Sequence, residues 1–193
     1  LLKGKKYVYT SGKLNTSSLP SISLFLCQVI SVYGISLSLK TLVSLQLYCL
    51  PPIPLTKKDI SDNLNDLIDR GLLAYDKVSD SYYFASPLAR EQLFSSLTLS
   101  IRTKLHLGII QYYKTEFASN IEAFDSVLGH HYEGSRDFAH AMQCYERASA
   151  TEYAEGNFRD AIMNYSNMLR VSSIKRKLCK STQLYKKTRS YTL

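Results

Sequence analysis

The clearest alternation of apolar and polar positions lies in residues 82–114, YYFASPLAREQLFSSLTLSIRTKLHLGIIQYYK. The aromatic run ending at Phe84 reads as a strand, and Pro87 stands where a first helical turn tolerates it. Ala89, Leu93 and Leu97 then recur at four-residue spacing, and Ile101, Leu105, Ile109 and Tyr112 or Tyr113 mark one face of a second helix. Upstream, Tyr7, Val8 and Tyr9 alternate as a short strand before a turn at Ser11-Gly12. Leu24, Val29, Ile30 and Val32 predict a helix ended by Gly34, and Leu39, Leu42, Val43 and Leu47 predict the next. Pro51, Pro52 and Pro54 form a stiff connector. Thr56 or Asp59 caps a third helix whose Ile60, Leu64, Leu67 and Ile68 face inward while Asp62, Asp66 and Asp69 face water; Gly71 ends it. Residues 72–75 and 82–84, joined through Ser79-Asp80-Ser81, then read as a hairpin.

Downstream the period changes again. Residues 114–126 are expected to be a looser segment around Ser119-Asn120. After it, Gly129, Tyr132, Ala141, Tyr145 and Ala148 fall at the small and aromatic positions of a tetratricopeptide motif, with a turn over residues 134–137. Ala161, Tyr165 and Met168 repeat the last part after a turn at Gly156-Asn157. Small residues let neighbouring helices approach, and aromatics fill the space between pairs. With a full period of ~34 residues, fewer than two repeats are visible. From Val171 onward, Lys175-Arg176-Lys177, Lys186-Lys187 and Arg189 with Leu178, Leu184 and Tyr185 between them predict the solvated end of a helix; a basic helix on an RNA or membrane surface is the alternative.

Charge changes that picture little once it is divided along the chain. The net +8 is +7 over residues 1–58, which hold no acid, −6 over residues 59–170, and +7 over residues 171–193. The patterned middle is therefore acidic, and the third helix, with four aspartates, is poorly suited to phosphates. Hydrophobic content of 45% calls for a packed core. Cys27, Cys49, Cys144 and Cys179 lie far apart with no C-x-x-C, so reduced thiols and a cytoplasmic location are expected. The run from Ile22 to Leu39 is uncharged, but Ser23, Gln28, Ser31, Ser36 and Ser38 interrupt it, and a span needs ~20 predominantly apolar residues. A buried helix pair is expected, with a membrane-anchored protein spanning at 22–39 as an alternative. The chain lacks an initiator Met and is expected to be a piece of a longer protein.

The pattern Phe84-x-x-Pro87-Leu88-x-Arg90-Glu91-x-Leu93-Phe94-x-x-Leu97, followed by Arg102-x-x-Leu105-His106-x-x-Ile109-x-x-Tyr112, resembles a junction in the signal-transduction ATPases of the AAA-like superclass, which include the soluble (type 10) adenylyl cyclases. The run His131-Tyr132-x-x-x-x-Asp137-x-x-x-Ala141-x-x-x-Tyr145-x-x-Ala148 is similar to helices downstream of that junction, and residues 29–34 to the helix-Gly corner at the start of the family's winged-helix domain. Leu19-Pro20 resembles the pair that follows the ATPase module. Where the family commonly has His two residues after the strand Phe, this chain has Ser86. The resemblance implies a mainly α fold: the tail of an upstream ATPase-like module over 1–19, a winged-helix-like domain over 20–84, a helical junction and antiparallel tetratricopeptide-like repeats over 85–170, and a basic terminal segment over 171–193. It implies a non-catalytic regulatory or scaffold segment of a multidomain signalling NTPase or nucleotide cyclase, with the upstream domains and other proteins as partners. ATP and Mg²⁺ would belong to the parent and not to this segment. A winged-helix transcriptional regulator of the same ATPase type is the alternative; neither nucleic acid nor membrane is the expected partner.

Motifs for chemistry agree with that reading. No G-x-x-x-x-G-K-[ST] occurs, so the phosphate cradle of an ATPase is missing from the sequence, and no strand-borne Asp pair suggests a cyclase metal site. His130-His131, His140 and Cys144 resemble a ligand set only loosely, and no metal is expected. The candidate residues are structural. At the junction they are Phe84, Pro87, Arg90, Glu91, Arg102 and His106, with Arg90-Glu91 expected as an ion pair and His106 as a packing histidine. In the repeats they are Gly129, Tyr132, Ala141, Tyr145, Ala148, Ala161 and Tyr165.

Overall fold

A computed structural model describes residues 9–10, 13–14, 16–51 and 53–189, with side chains over 16–51 and 53–180. Tyr7, Val8, Ser11, Gly12 and Pro52 lie outside the described residues, as do the side chains of Leu184, Tyr185, Lys186, Lys187 and Arg189. The fold is mainly helical with a small sheet, and the chain divides into two compact units, Leu1–Tyr112 and Tyr113–Leu193.

In the first unit, a short pair of strands, β1 (Tyr9–Thr10) and β2 (Lys13–Leu14), precedes α1 (Ser21–Tyr33). The helix α1 is buried on most of its circumference, with Phe25, Leu26, Cys27, Val29, Ile30 and Val32 all inside, which accounts for the uncharged run in the sequence. Gly34 ends it, and β3 (Ser36–Leu37) follows. No helix among the described residues is long and apolar enough to cross a membrane.

Ser38 caps α2 (Leu39–Cys49), accepting a hydrogen bond from the Thr41 N–H at 3.1 Å. The buried stripe of α2 is Leu42 and Leu45, while Leu47 is exposed. Residues spaced by four drift by about 40° a step on a helix of 3.6 residues per turn, so the Leu39-Val43-Leu47 row turns away from the core. Thr56 and Asp59 form a reciprocal capping box on α3 (Lys57–Asp69), and its Ile60, Leu64 and Leu67 are buried. At its far end Gly71, at φ 71°, donates to the Ile68 carbonyl, and Leu72 donates to that of Leu67, the paired bonds of a Schellman motif.

The hairpin β4 (Leu73–Asp76) and β5 (Ser81–Phe84) has the register Leu73↔Phe84 and Tyr75↔Tyr82. Its turn is held by Asp76, which accepts from the Val78 N–H and the Ser79 hydroxyl. On its other side β5 pairs with β3, giving the order β3-β5-β4. The hydrophobic pattern does not predict β3, because two residues carry no period. Ser86 caps α4 (Pro87–Ser96), which packs on α1 through Ala89 and Leu93. Then α5 (Leu99–Glu116) begins; in its first-unit part Leu105, Ile109 and Tyr112 are buried as expected, whereas Ile101 is exposed. Gly108 lies where a Cβ would stand 2.7 Å from the Tyr48 carbonyl oxygen, so α2 and α5 approach closely only because that side chain is missing.

In the second unit, the segment expected to be loose is a 3₁₀ helix over Ala118–Phe124, broken at Asn120. Tyr113, Phe117 and Phe124 hold it, with ring centroids 4.5 to 5.6 Å apart. The helices α6 (Asp125–Gly134), α7 (Phe138–Ala154) and α8 (Phe158–Arg189) follow. The links between them are short, with Arg136 at φ 67° in one and Gly156 at φ 83° in the other, and each helix packs on the next. Short links between packed helices make them double back on one another.

Candidate functional site

The stack of α6, α7 and α8 is held by a small-on-aromatic contact and four polar ties. Gly129 on α6 faces the ring of Tyr145 on α7, and a Cβ at Gly129 would stand 2.8 Å from that ring. Tyr145 is buried, and its hydroxyl donates to Glu133 Oε2 at 3.4 Å. Glu133 in turn accepts two bonds from the guanidinium of Arg170 on α8, the Nη2 bond at 2.8 Å, so one carboxylate joins all three helices. Burial, then the Glu133 charge, pushes the Tyr145 phenol well above its ordinary range, which keeps it a neutral donor.

Asp125 at the start of α6 is almost fully buried and accepts from Arg147 Nε at 2.8 Å and Nη2 at 2.5 Å. That bidentate pair raises the Arg147 guanidinium above its ordinary range, chiefly through the bond to Asp125. Ser126 donates to Asn164 Oδ1 at 2.7 Å, tying α6 to α8, and Ser149 donates to the Ala161 carbonyl at 3.0 Å. Asn164 is buried and was not singled out by the sequence pattern, since an Asn inside a helix resembles a surface residue until its partner is known.

On the α7 and α8 surface, Tyr153, Phe158, Ala161, Ile162 and Tyr165 line an apolar groove with a cavity of about 290 Å³. Tyr153 and Ile162 are each 67% exposed, and Phe158 and Tyr165 are more than half exposed. Of the repeat residues, Gly129, Tyr132, Ala141, Tyr145, Ala148 and Ala161 are interior, and Tyr165 lies on the open groove. A smaller cavity of about 180 Å³ is lined by Glu122, Asp125, Glu152 and Glu155 among others.

The junction residues lie in the first unit. Phe84 is buried at the end of β5, Pro87 is exposed at the first turn of α4, and His106 is buried in α5. Arg102 places its guanidinium 5.3 Å from the centre of the Phe94 ring. No ion pair joins Arg90 and Glu91 in the described residues: Glu91 is exposed, and adjacent helix residues point about 100° apart and do not face each other. Arg90 instead lines a cavity with Ile35, Tyr83, Phe84, Ala85 and Pro87.

The imidazole and thiol groups are dispersed. His131 is buried against Tyr113, and His140 pairs with Asp137 at 2.7 Å and stacks on Tyr132. No group of three His, Cys, Asp or Glu among the described residues is placed to hold a metal ion. Burial raises the Cys27 thiol far above its usual range, Cys49 to about 12 and Cys144 to about 11, so these are neutral thiols and poor nucleophiles. No family model, no curated protein and no solved structure matches this chain.

Proposed function

We propose that this chain is a non-catalytic regulatory and scaffold segment of a multidomain signalling NTPase or nucleotide cyclase, and that it couples the parent to protein partners through helical repeats. In this reading residues 20–84 are a winged-helix domain and residues 85–170 carry tetratricopeptide-like helices. The observation that carries it is the α7 and α8 groove, where four large apolar side chains are more than half exposed beside a stack locked by Gly129 on Tyr145. Contiguous exposed apolar surface on a packed helical array favours an amphipathic helix from another protein or another domain. The order helix, strand, helix, helix, hairpin, with β3 closing on β5, supports the winged-helix assignment. The exposed residues of α3 include Asp59, Asp62 and Asp69 against Lys57 and Lys58 at its first turn, which favours protein contacts there over DNA. ATP and Mg²⁺ belong, on this proposal, to the parent's upstream domains, and the location is cytoplasmic.

The test is made in the parent protein by substituting Ile162→Glu and Tyr165→Glu together. Both side chains are exposed, so folding is spared. Nucleotide turnover by the parent should keep its basal rate and lose its response to the partner. An unchanged response, or ATP hydrolysis or cyclisation by the isolated chain itself, overturns the reading.

A further inference from the structure

We propose that the cavity at the end of β5 binds a small organic carboxylate, with the apolar body against Ile35, Tyr83, Phe84 and Pro87 and the carboxylate on Arg90. This is independent of the repeat groove and lies wholly in the first unit. The cavity has a volume of about 390 Å³, within the size range of small-molecule sites. Its described lining is apolar apart from the Arg90 side chain and the Tyr83 hydroxyl. Arg90 Nε is shielded from water and has no hydrogen-bond partner among the described residues. A guanidinium cannot shed its proton, so this unanswered N–H is a standing cost, and a small turn of the Arg90 side chain toward the cavity would bring it within reach of an anion. Neighbouring Glu91 is exposed on another face of α4, and no acidic side chain among the described residues lines the cavity.

The chemistry of the walls selects among anions. A carboxylate presents two oxygens in a plane, and one guanidinium edge can satisfy both. A phosphate carries more oxygens and needs further donors. Pro87 has no N–H to offer, the Ala85 N–H is already given to the Leu72 carbonyl at 3.0 Å, and the Tyr83 hydroxyl adds a single donor, too few for the oxygens of a phosphate. Ile35, 84% exposed at the rim, supplies apolar surface that gains from being covered.

The experiment is a titration of the full chain followed by amide NMR, with phenylacetate, its neutral analogue phenylacetamide, and inorganic phosphate as probes. Phenylacetate should shift the amides of Ile35, Tyr83, Ala85 and Arg90, and phenylacetamide should bind ~10-fold or more weakly for lack of the charged bond. Phosphate should leave those amides in place. Arg90→Met should weaken phenylacetate by a similar ~10-fold. Ile35→Asp puts a negative charge at the rim of a position too exposed to matter for folding, and should also weaken it. Equal binding of acid and amide, equal binding by Ile35→Asp, phosphate binding as well as phenylacetate, or no shifts at saturating phenylacetate would each overturn the proposal.

Discussion

At the scale of single residues, Tyr145 fixes the second unit. Its ring fills the space opened by Gly129, and its hydroxyl reaches the carboxylate that Arg170 holds. Tyr145→Ala removes a buried aromatic that its rigid neighbours cannot replace, and should cost ~3–5 kcal/mol in a urea melt read on the second unit. A loss below ~0.5 kcal/mol would place Tyr145 outside the load of the core. Arg147 acts differently, because most of its own side chain is exposed while its partner Asp125 is not. Arg147→Met leaves a carboxylate desolvated without its donors, and should cost ~1–3 kcal/mol. The double variant Arg147→Met with Asp125→Asn should recover part of that loss, and an absence of recovery would show that the arginine's packing matters more than its charge.

At the scale of elements, the boundaries were largely legible in the sequence because they rest on local chemistry. Gly34, Gly71, Pro87 and Gly156 each end or begin a helix where the pattern places them. Thr56 and Asp59 were both candidate caps for α3, and the two act together. What the pattern could not supply was the partner of each element. The two-residue β3 has no period, the exposed Leu47 and Ile101 have the same composition as buried residues, and the open position of Tyr165 depends on which helices surround it. The candidate cavity at Arg90 was likewise hidden, since an Arg-Glu pair adjacent in sequence suggests neighbours that a helix keeps apart. The capping box gives a prediction at this scale. The Asp59 carboxyl is held below its usual range, first by the Thr56 hydroxyl and then by the Thr56 N–H. A folded value below the unfolded one means that its stabilising effect is complete above the unfolded value of ~3.9 and is lost as pH falls through the folded value. Thermal melts between about pH 6 and about pH 2 should therefore show a smaller acid slope for Asp59→Asn than for the natural chain. Equal slopes would mean that the box does not persist in solution.

At the scale of the whole molecule, charge is divided rather than shared, and the end of α8 is where the functional readings separate. Lys175, Arg176, Lys177 and Lys180 are exposed there, close together, and Arg176 donates to the Ser172 hydroxyl at 3.1 Å. If this stretch bound duplex DNA as a working surface, several phosphates would be neutralised and log affinity would fall with log salt at ~0.9 per contact. A few clustered cations alone give binding that is weak, blind to sequence and lost near ~0.15 M salt. The second outcome is expected. Residues 171–180 contain no aromatic on which a base could stack, and the acidic middle of the chain repels a polyanion. Removing the tail outright would be a poor control, since Val171 is fully buried and its loss would disturb packing. Replacing Lys175, Arg176, Lys177 and Lys180 with Gln keeps the helix and removes four of the seven positive charges of residues 171–193. Titration of both proteins with duplex DNA should give only the salt-sensitive component, weaker in the Gln variant, which keeps Lys186, Lys187 and Arg189. Sub-micromolar, sequence-selective binding at ~0.15 M salt that disappeared with the four charges would replace the scaffold reading with a nucleic-acid one, because no counterion release from so few contacts sustains such affinity without base recognition.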